Sequence, residues 1–326
     1  MPGVGFKSYA QIAKMVATYG ETGVAATKRF EISNFNVAPV IGVIQDASLN
    51  NSPSRRGIFE GGKSYRGTFT TRLNFEGLEE LFRGVMGGYA FATSTHTFKE
   101  LADLPSYTME VVIGDIPTGK CFDLYGVKFT GVTLRGSAGQ GADAMLQAEW
   151  SVIAKDMVSN QTPAVLTAPA TNPVIFHSWN SGSAVVDDGT AEAGARVRSL
   201  EVSIENPHAE DRFYMASMNV DEPIRNDFLN VKWKLQQEFV SKTQFDLARV
   251  WAASGAEPSP RFVFVGQAGT AYTFEVRSTT TQATEFSAPV EGYGIIMSSV
   301  TYEAFWNATD ASAVVIAIKN GLSALP

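Results

Sequence analysis

Cysteine is almost missing from this chain of 326 residues. Cys121 stands alone, so no intrachain disulfide can form, and a reducing, cytoplasmic birthplace fits. Histidine is nearly as scarce. His96, His177 and His208 lie far apart, and neither HxxxH nor CxxC spacing occurs, so each reads as a structural residue. No segment approaches the roughly 20 apolar residues of a membrane helix, so no membrane insertion is expected. The opening "MPGVGFKSYAQIAKMVATYG" has no continuous apolar stretch, so it is not expected to be a secretory leader. Positive charge is also in deficit: 26 Lys and Arg stand against 33 Asp and Glu, a net −7. A firm grip on nucleic acid needs the opposite balance. Catalytic signatures are missing too. "GSAGQGADA" at 136–144 has its glycines in the order GxxGxG between two strands, which reads as a hairpin loop, and neither GxSxG nor Walker A occurs. The sequons "NQT" and "NAT" carry little weight without a secretory signal. No enzyme, metal or cofactor is expected.

What the chain does contain is repetition. "YTMEV" at 107–111 returns as "YTFEV" at 272–276. Downstream, "YGVKFTGVT" at 125–133 returns as "YGIIMSSVT" at 293–301, and "AEWSVIAK" at 148–155 as "AVVIAIK" at 313–319. Matches in the same order at a nearly constant offset point to a tandem duplication of one domain. The length fits two domains, and 44% hydrophobic content is enough for a sizeable core.

A coarse reading divides the chain into a polar, Gly-rich arm at 1–27, a first domain at 28–155, a Pro/Ala/Thr-rich linker at 156–172 and a second domain at 173–326. In the first domain, 29–33 and 38–46 are strand-like, and 47–67 is rich in Ser, Asn, Pro and Gly and reads as a long loop. "TFTTRLNF" at 68–75 alternates apolar and polar, the sign of a strand with one buried face. Leu78, Leu81, Phe82, Val85 and Met86 then form a helical stripe, with Asn74 as a candidate N-cap and Gly87-Gly88 as the stop. Strands follow at 107–113, 122–134 and 145–154. The second domain repeats the plan: strands at 173–179 and 197–206, a long segment at 207–230, a strand at 231–240, a helix at 243–255, and strands at 261–265, 271–278, 291–303 and 312–319. The expectation is a mainly β fold with one helix packed on the sheet of each domain. Glu110 and Glu275 recur at matching positions and read as part of a solvated strand face rather than a catalytic pair.

The order of these parts resembles the major tail tube protein family of tailed bacteriophages, in its two-domain form. The carrying segments are "ATYGETGVAA", "SRRGIFEGGKSYRGTFTTRLNFEGLEELFRGVMGG", "YGVKFTGVTL", "AEWSVIAK" with Trp150, and "SLEVSIEN" at 199–206. The likeness runs from about residue 15 to residue 320. It departs from the pattern in lacking Gly-Gly after the second helix.

The resemblance implies β-sandwich or barrel-like tube domains that form stacked rings around a DNA channel. With two domains in one chain, three chains would complete a pseudo-six-fold ring. It implies no cofactor, and partners that are the chain itself, the tape measure, terminator and distal tail proteins, and double-stranded DNA in passage. Localisation would be the virion tail, after assembly in the host cytoplasm. An acidic lumen would repel phosphate. Its candidates are Glu201 and Glu205, opposite Leu200, Val202 and Ile204, and Glu238, opposite Trp233, Leu235 and Phe239, with Glu110 and Glu275 next. The loop 47–67, carrying Arg55, Arg56, Ile58, Phe59, Lys63, Tyr65 and Arg66, is the candidate contact between rings. Competing readings are a distal tail or terminator ring of the same fold, and a two-domain β-sandwich for carbohydrate binding or adhesion.

Overall fold

The computed structural model describes residues 8–15, 18–22, 24–46, 57–114, 121–138, 144–159, 161–166, 197–239, 242, 245–246, 259–266, 269–290 and 293–325. The fold is mainly β, with one helix among the described residues. The first half contributes β1 (Tyr9–Lys14), β2 (Lys28–Phe30), β3 (Asn34–Gln45), β4 (Ile58–Arg72), α1 (Glu79–Met86), β5 (Gly87–Ala92), β6 (Thr95–Glu100), β7 (Tyr107–Val112), β8 (Cys121–Ser137), β9 (Gln147–Ala154) and β10 (Asp156–Ser159). The second contributes β11 (Val197–Glu205), β12 (Asn230–Glu238), β13 (Arg261–Gly266), β14 (Gly269–Arg277), β15 (Thr281–Ser287), β16 (Met297–Ala304) and β17 (Val315–Lys319).

Two antiparallel sheets hold these strands. The larger contains the run β3-β4-β9-β8-β11-β12-β16-β15, and β8 also carries the branch β7-β1-β2. The smaller runs β13-β14-β17-β6-β5. Both sheets mix the two halves of the chain. Leu134 of β8 stands opposite Val202 of β11, and Phe98 of β6 opposite Ile316 of β17.

Alternation explains why the sheets pack as they do. Along β11, Leu200, Val202 and Ile204 are buried while Ser199, Glu201 and Ser203 are not. Along β12, Val231, Trp233 and Leu235 are buried while Lys232, Lys234 and Gln236 are exposed. Period-2 patterning of this kind drives one face of a sheet onto a core. The core lies between the sheets. Phe82 of α1 touches Trp150 of the large sheet (ring centroids 5.0 Å apart) and both Phe98 and Phe274 of the small one (5.8 Å each). Trp233 stacks on Phe262 across the same gap at 6.1 Å. Each large buried side chain contributes about 2–3 kcal/mol of transfer free energy. The two indole N–H groups are satisfied inside the core, Trp150 donating to Thr71 at 2.9 Å and Trp233 to Ser278 at 3.0 Å.

Several expectations change. The arm at 1–27 is not wholly irregular: β1 lies within it, with Ala10 and Ile12 fully buried between β2 and β7. The helix begins at Glu79, later than the stripe suggested, and Asn74 is not its cap. The N-cap position falls on Leu78, which makes no side-chain cap. Gly87 does end the helix at φ 81°, but the chain then enters β5 directly through Gly88. The segment 47–67 is not one long loop, because Ile58–Arg72 is strand throughout. The start of the linker forms β10, which pairs with β8. The predicted strand at 173–179 lies outside the described residues, as does nearly all of the predicted helix at 243–255. The repeated segments have different neighbours: β7 lies between β1 and β8, whereas β14 lies between β13 and β17.

Candidate functional site

The large sheet buries one face and leaves the other open. On the open face stand Thr68, Thr70, Gln147, Glu149, Ser151, Thr133, Arg135, Ser199, Glu201, Ser203, Lys232, Lys234, Gln236, Ser299, Thr301 and Glu303. Short hydroxyl and amide side chains dominate, and charges of both signs interleave. Arg135 donates to Glu201 at 3.0 Å and to Glu149 at 2.8 Å, and Lys232 lies 3.6 Å from Glu303. Two open depressions run along this face. One is lined by Arg135, Gln147, Ser199, Glu201, Lys234 and Ser299, the other by Thr133, Ser151, Ser203, Glu205 and Asp227. The surface is therefore polar and charge-paired, not acidic.

The carboxylates singled out from sequence are dispersed by the fold. Glu201 and Glu205 stand on the open face; Glu205 accepts from Ser203 and Asn230 at 3.4 and 3.3 Å. Glu238 has the same parity but is nearly covered, held by Arg198 at 2.5 Å, and Phe239 beyond it is partly exposed rather than on the buried face. Glu110 is buried in β7, whose side chains are buried on both faces. It accepts from the backbone N–H of Ala164 and Ala26 at 2.8 and 3.4 Å and from Gln11 at 3.2 Å. Burial pushes its carboxyl above the usual range, so it is a structural acceptor and not a solvated one. Glu275 sits in the small sheet, gripped by Arg261 at 2.9 and 3.3 Å. Sequence reasoning missed Arg135, Glu149, Lys232 and Lys234, although the alternation of "VTLRGS" and "QAEWSV" would have placed the first two on one polar face.

The eight-stranded run is built from two similar units. β3-β4-β9-β8 and β11-β12-β16-β15 each place their strands in the spatial order first, second, fourth, third, all antiparallel. They join along β8 and β11, where Gly131 lets the backbones approach: a Cβ there would sit 2.7 Å from the Ile204 carbonyl oxygen. At the ends of the run, β3 and β15 each have only one partner among the described residues. Among the described residues no second strand pairs with their outer edges, and a free strand edge is the usual template for pairing with another chain.

A second feature projects from the first unit. β4 pairs with β9 only from Tyr65 onward, so Ile58–Ser64 and the facing part of β3 extend as a two-stranded arm. Seven residues at about 3.3 Å each make it roughly 23 Å long. Val40, Ile41, Val43, Ile44, Ile58 and Phe59 on this arm are between 45% and 71% exposed. Clustered exposed apolar side chains are a common property of contact surfaces. Of the loop candidates, Ile58, Phe59, Lys63, Tyr65 and Arg66 thus belong to strand β4, because β3 supplies the ladder that a loop would lack; Arg55 and Arg56 lie outside the described residues.

The 207–230 segment of the second half braces the base of the arm. Lys63 N–H donates to Met218 O at 2.6 Å, and Val220 N–H donates to Lys63 O at 3.0 Å, extending β4 where β9 has ended. Arg66 pairs with Glu210 through both its carboxylate and its carbonyl, and Lys128 lies 2.7 Å from Glu222. Nothing in the local sequence of this segment, which has no regular structure, announces those long-range contacts.

No group of His, Cys, Asp and Glu among the described residues has metal-binding geometry, and no helix among them is long and apolar enough to cross a membrane. Cys121 is buried, and burial beside Asp123 pushes its thiol up to about 12, which disfavours the thiolate. No curated protein matches the chain. The sequence profile of one family, described as phage tail tube protein, matches residues 5–304. An open polar sheet face, end strands with one partner each among the described residues and an apolar arm suit a protein that assembles with copies of itself, and with that match the chain belongs to the phage tail tube protein family: a structural component of the virion tail, in a family that is not enzymatic.

Proposed function

We propose that three chains close each ring of the tube, β15 of one chain pairing with β3 of the next as β11 pairs with β8 inside one chain. The observation that carries this reading is the repeated strand order of the two four-strand units. It is also what favours two tube domains in tandem, at 28–155 and 173–326. The β8–β11 joint then serves as the template for the joint between chains.

Strand spacing and tilt bound the number of chains. With eight strands per chain, three chains give 24 strands; at about 4.8 Å each and the roughly 35–45° tilt of a closed sheet, the circumference is about 140–160 Å and the radius about 22–26 Å. Inward side chains take up about 5 Å per wall, half the usual spacing of packed sheets, and leave a bore of about 35–42 Å. A DNA duplex, with grooves about 8 Å deep on either side, is about 20 Å across and passes. Two chains would leave a bore of about 20–25 Å, with little clearance for the duplex, and six one of about 80–95 Å. The polar face of the large sheet, with Glu201 and Glu205, lines the bore, and the small sheet lies outside.

The arm makes the axial contact. Head-to-tail contacts that close give rings, and those that repeat without closing give filaments. The arm and the neighbouring residues 47–57, which carry Arg55 and Arg56, dock on the adjacent ring. At the tube ends the same ring faces meet the tape measure, terminator and distal tail proteins. Self-stacking distinguishes this reading from a single distal or terminator ring, and the family match removes support from an adhesin.

Electron microscopy of the purified protein tests the tube, and native mass spectrometry tests the ring. The expected closed species is three chains of 35.1 kDa, about 105 kDa. A ring of six chains would sink the fused-sector argument.

A further inference from the structure

We propose that Arg135, Glu149 and Glu201 form a masked phosphate-contact site on the open sheet face, a guanidinium shared by two carboxylates so that a passing DNA duplex meets a cation it cannot hold. The idea rests on the reading of this face as the channel wall. Its own support is local geometry. Arg135 is about half exposed and stands at the joint between the two four-strand units. Its Nε donates to Glu201 Oε2 at 3.0 Å, directly across the β8–β11 ladder, and its Nη1 donates to Glu149 Oε2 at 2.8 Å on β9. Two faces of the guanidinium fork, the part that grips phosphate bidentately, are thus already occupied by carboxylates.

An unmasked Arg here would neutralise phosphate and release counterions, which is how proteins hold DNA in a salt-dependent way. A bare carboxylate would only repel. The triad does neither. Each pair is partly solvated and worth little by itself, so its role is to compete for the guanidinium rather than to stabilise the fold.

The test uses the full chain and a 20-base-pair duplex as probe, with binding read at 50 and 200 mM salt. Glu149→Gln/Glu201→Gln frees Arg135 while keeping side-chain shape. It is expected to bind about tenfold tighter than wild type at 50 mM, the worth of one additional charge-assisted hydrogen bond to phosphate. Its affinity should fall by about a further 3.5-fold at 200 mM, the counterion term for one extra phosphate. Adding Arg135→Gln should return both values to wild type. The control Asp227→Asn/Glu285→Gln removes the same charge from the same side of the sheet, where Asp227 borders the second depression and Glu285 stands opposite Thr301, without freeing a paired Arg, and should leave binding within about twofold. If the double variant does not fold, Glu149→Gln alone should show a smaller rise in affinity in the same assay. No rise, a rise kept in the triple variant, or an equal rise in the control overturns the proposal. Electron microscopy of the same samples reads the tube separately. Tighter binding without tubes leaves the site standing and rejects the channel; tubes without tighter binding do the reverse.

Discussion

Replacing Gly131 by Ala tests the joint on which the ring argument depends. Gly131 faces Glu205 across the β8–β11 ladder, one residue from a register shift in the β8–β9 pairing. An added Cβ would lie 2.7 Å from the Ile204 carbonyl oxygen and 3.4 Å from the Glu205 Cα. Both are backbone atoms held in the ladder, so no side chain can swing aside. Ordinary contact needs about 0.7 Å more, and overpacking of this kind costs about 1–3 kcal/mol. Weakening one or two ladder hydrogen bonds falls in the same range.

The expected result is a loss of about 2 kcal/mol, or about 4–8 °C in Tm at the slope usual for large domains. Hydrogen exchange should locate it: amides of Val202, Ser203 and Ile204 should lose protection while those of β14 keep theirs. Gly294→Ala is the control, since nothing lies within 4 Å of a Cβ there. A Tm within about 1 °C of wild type, with β11 protection unchanged, would refute the close approach. It would also remove the reason for treating the β8–β11 joint as the template of the joint between chains.

Two other outcomes follow from the same geometry. Ile58→Ser with Phe59→Ser removes apolar surface from a strand end that pairs only with β3 among the described residues, so Tm should stay within about 1–2 °C while tubes, scored by electron microscopy, fail to lengthen; normal tubes would rule out the axial role of the arm. His96 is buried, donating from Nε2 to Asn320 and accepting at Nδ1 from Tyr89, both at 3.1 Å, and burial holds it below its ordinary value of 6.5. The unfolded chain therefore takes up this proton first, and stability should fall as pH drops from about 6.5 toward the folded value; a Tm slope between about pH 7 and 5 that His96→Gln leaves unchanged would contradict it.

The two faces of the large sheet were legible in sequence because β11, β12 and the C-terminal part of β8 bury one face and leave the other more open. That contrast is what period-2 reading detects, and it places Glu201 and Glu205 on the polar side, where the structure has them. β7 defeats it. Tyr107–Val112 is buried on both faces, so its alternation has no solvent side, and Glu110 reads as solvated although it caps two backbone N–H groups. The arm escapes for the opposite reason. Ile58–Lys63 has no buried face, and Gly57, Gly61 and Gly62 look like loop punctuation. Only pairing with β3 reveals the strand, and pairing partners are not written in local composition. The helix stripe is clear, but its start is set by the fold. Leu78 occupies the cap, and the Gly77 N–H is satisfied from inside the helix by Glu79 at 2.9 Å, leaving Asn74 elsewhere.

The two kinds of contact differ in chemistry, and the difference decides the shape of the assembly. A sheet edge offers a fixed set of backbone groups, so the proposed pairing of β15 with β3 would saturate once the ring closed and leave nothing to propagate sideways. The arm carries apolar side chains on both faces, and the ion pair between Lys63 and Glu60 at 2.6 Å lies near its base. It cannot fold back on its own core, because the 207–230 segment fixes its base through Lys63 and Arg66. Its apolar side chains stay exposed among the described residues, so docking on another copy would bury them and leave the arm of the incoming copy exposed. On the proposed contacts growth would be finite around the axis and open along it, which is the geometry of a tube.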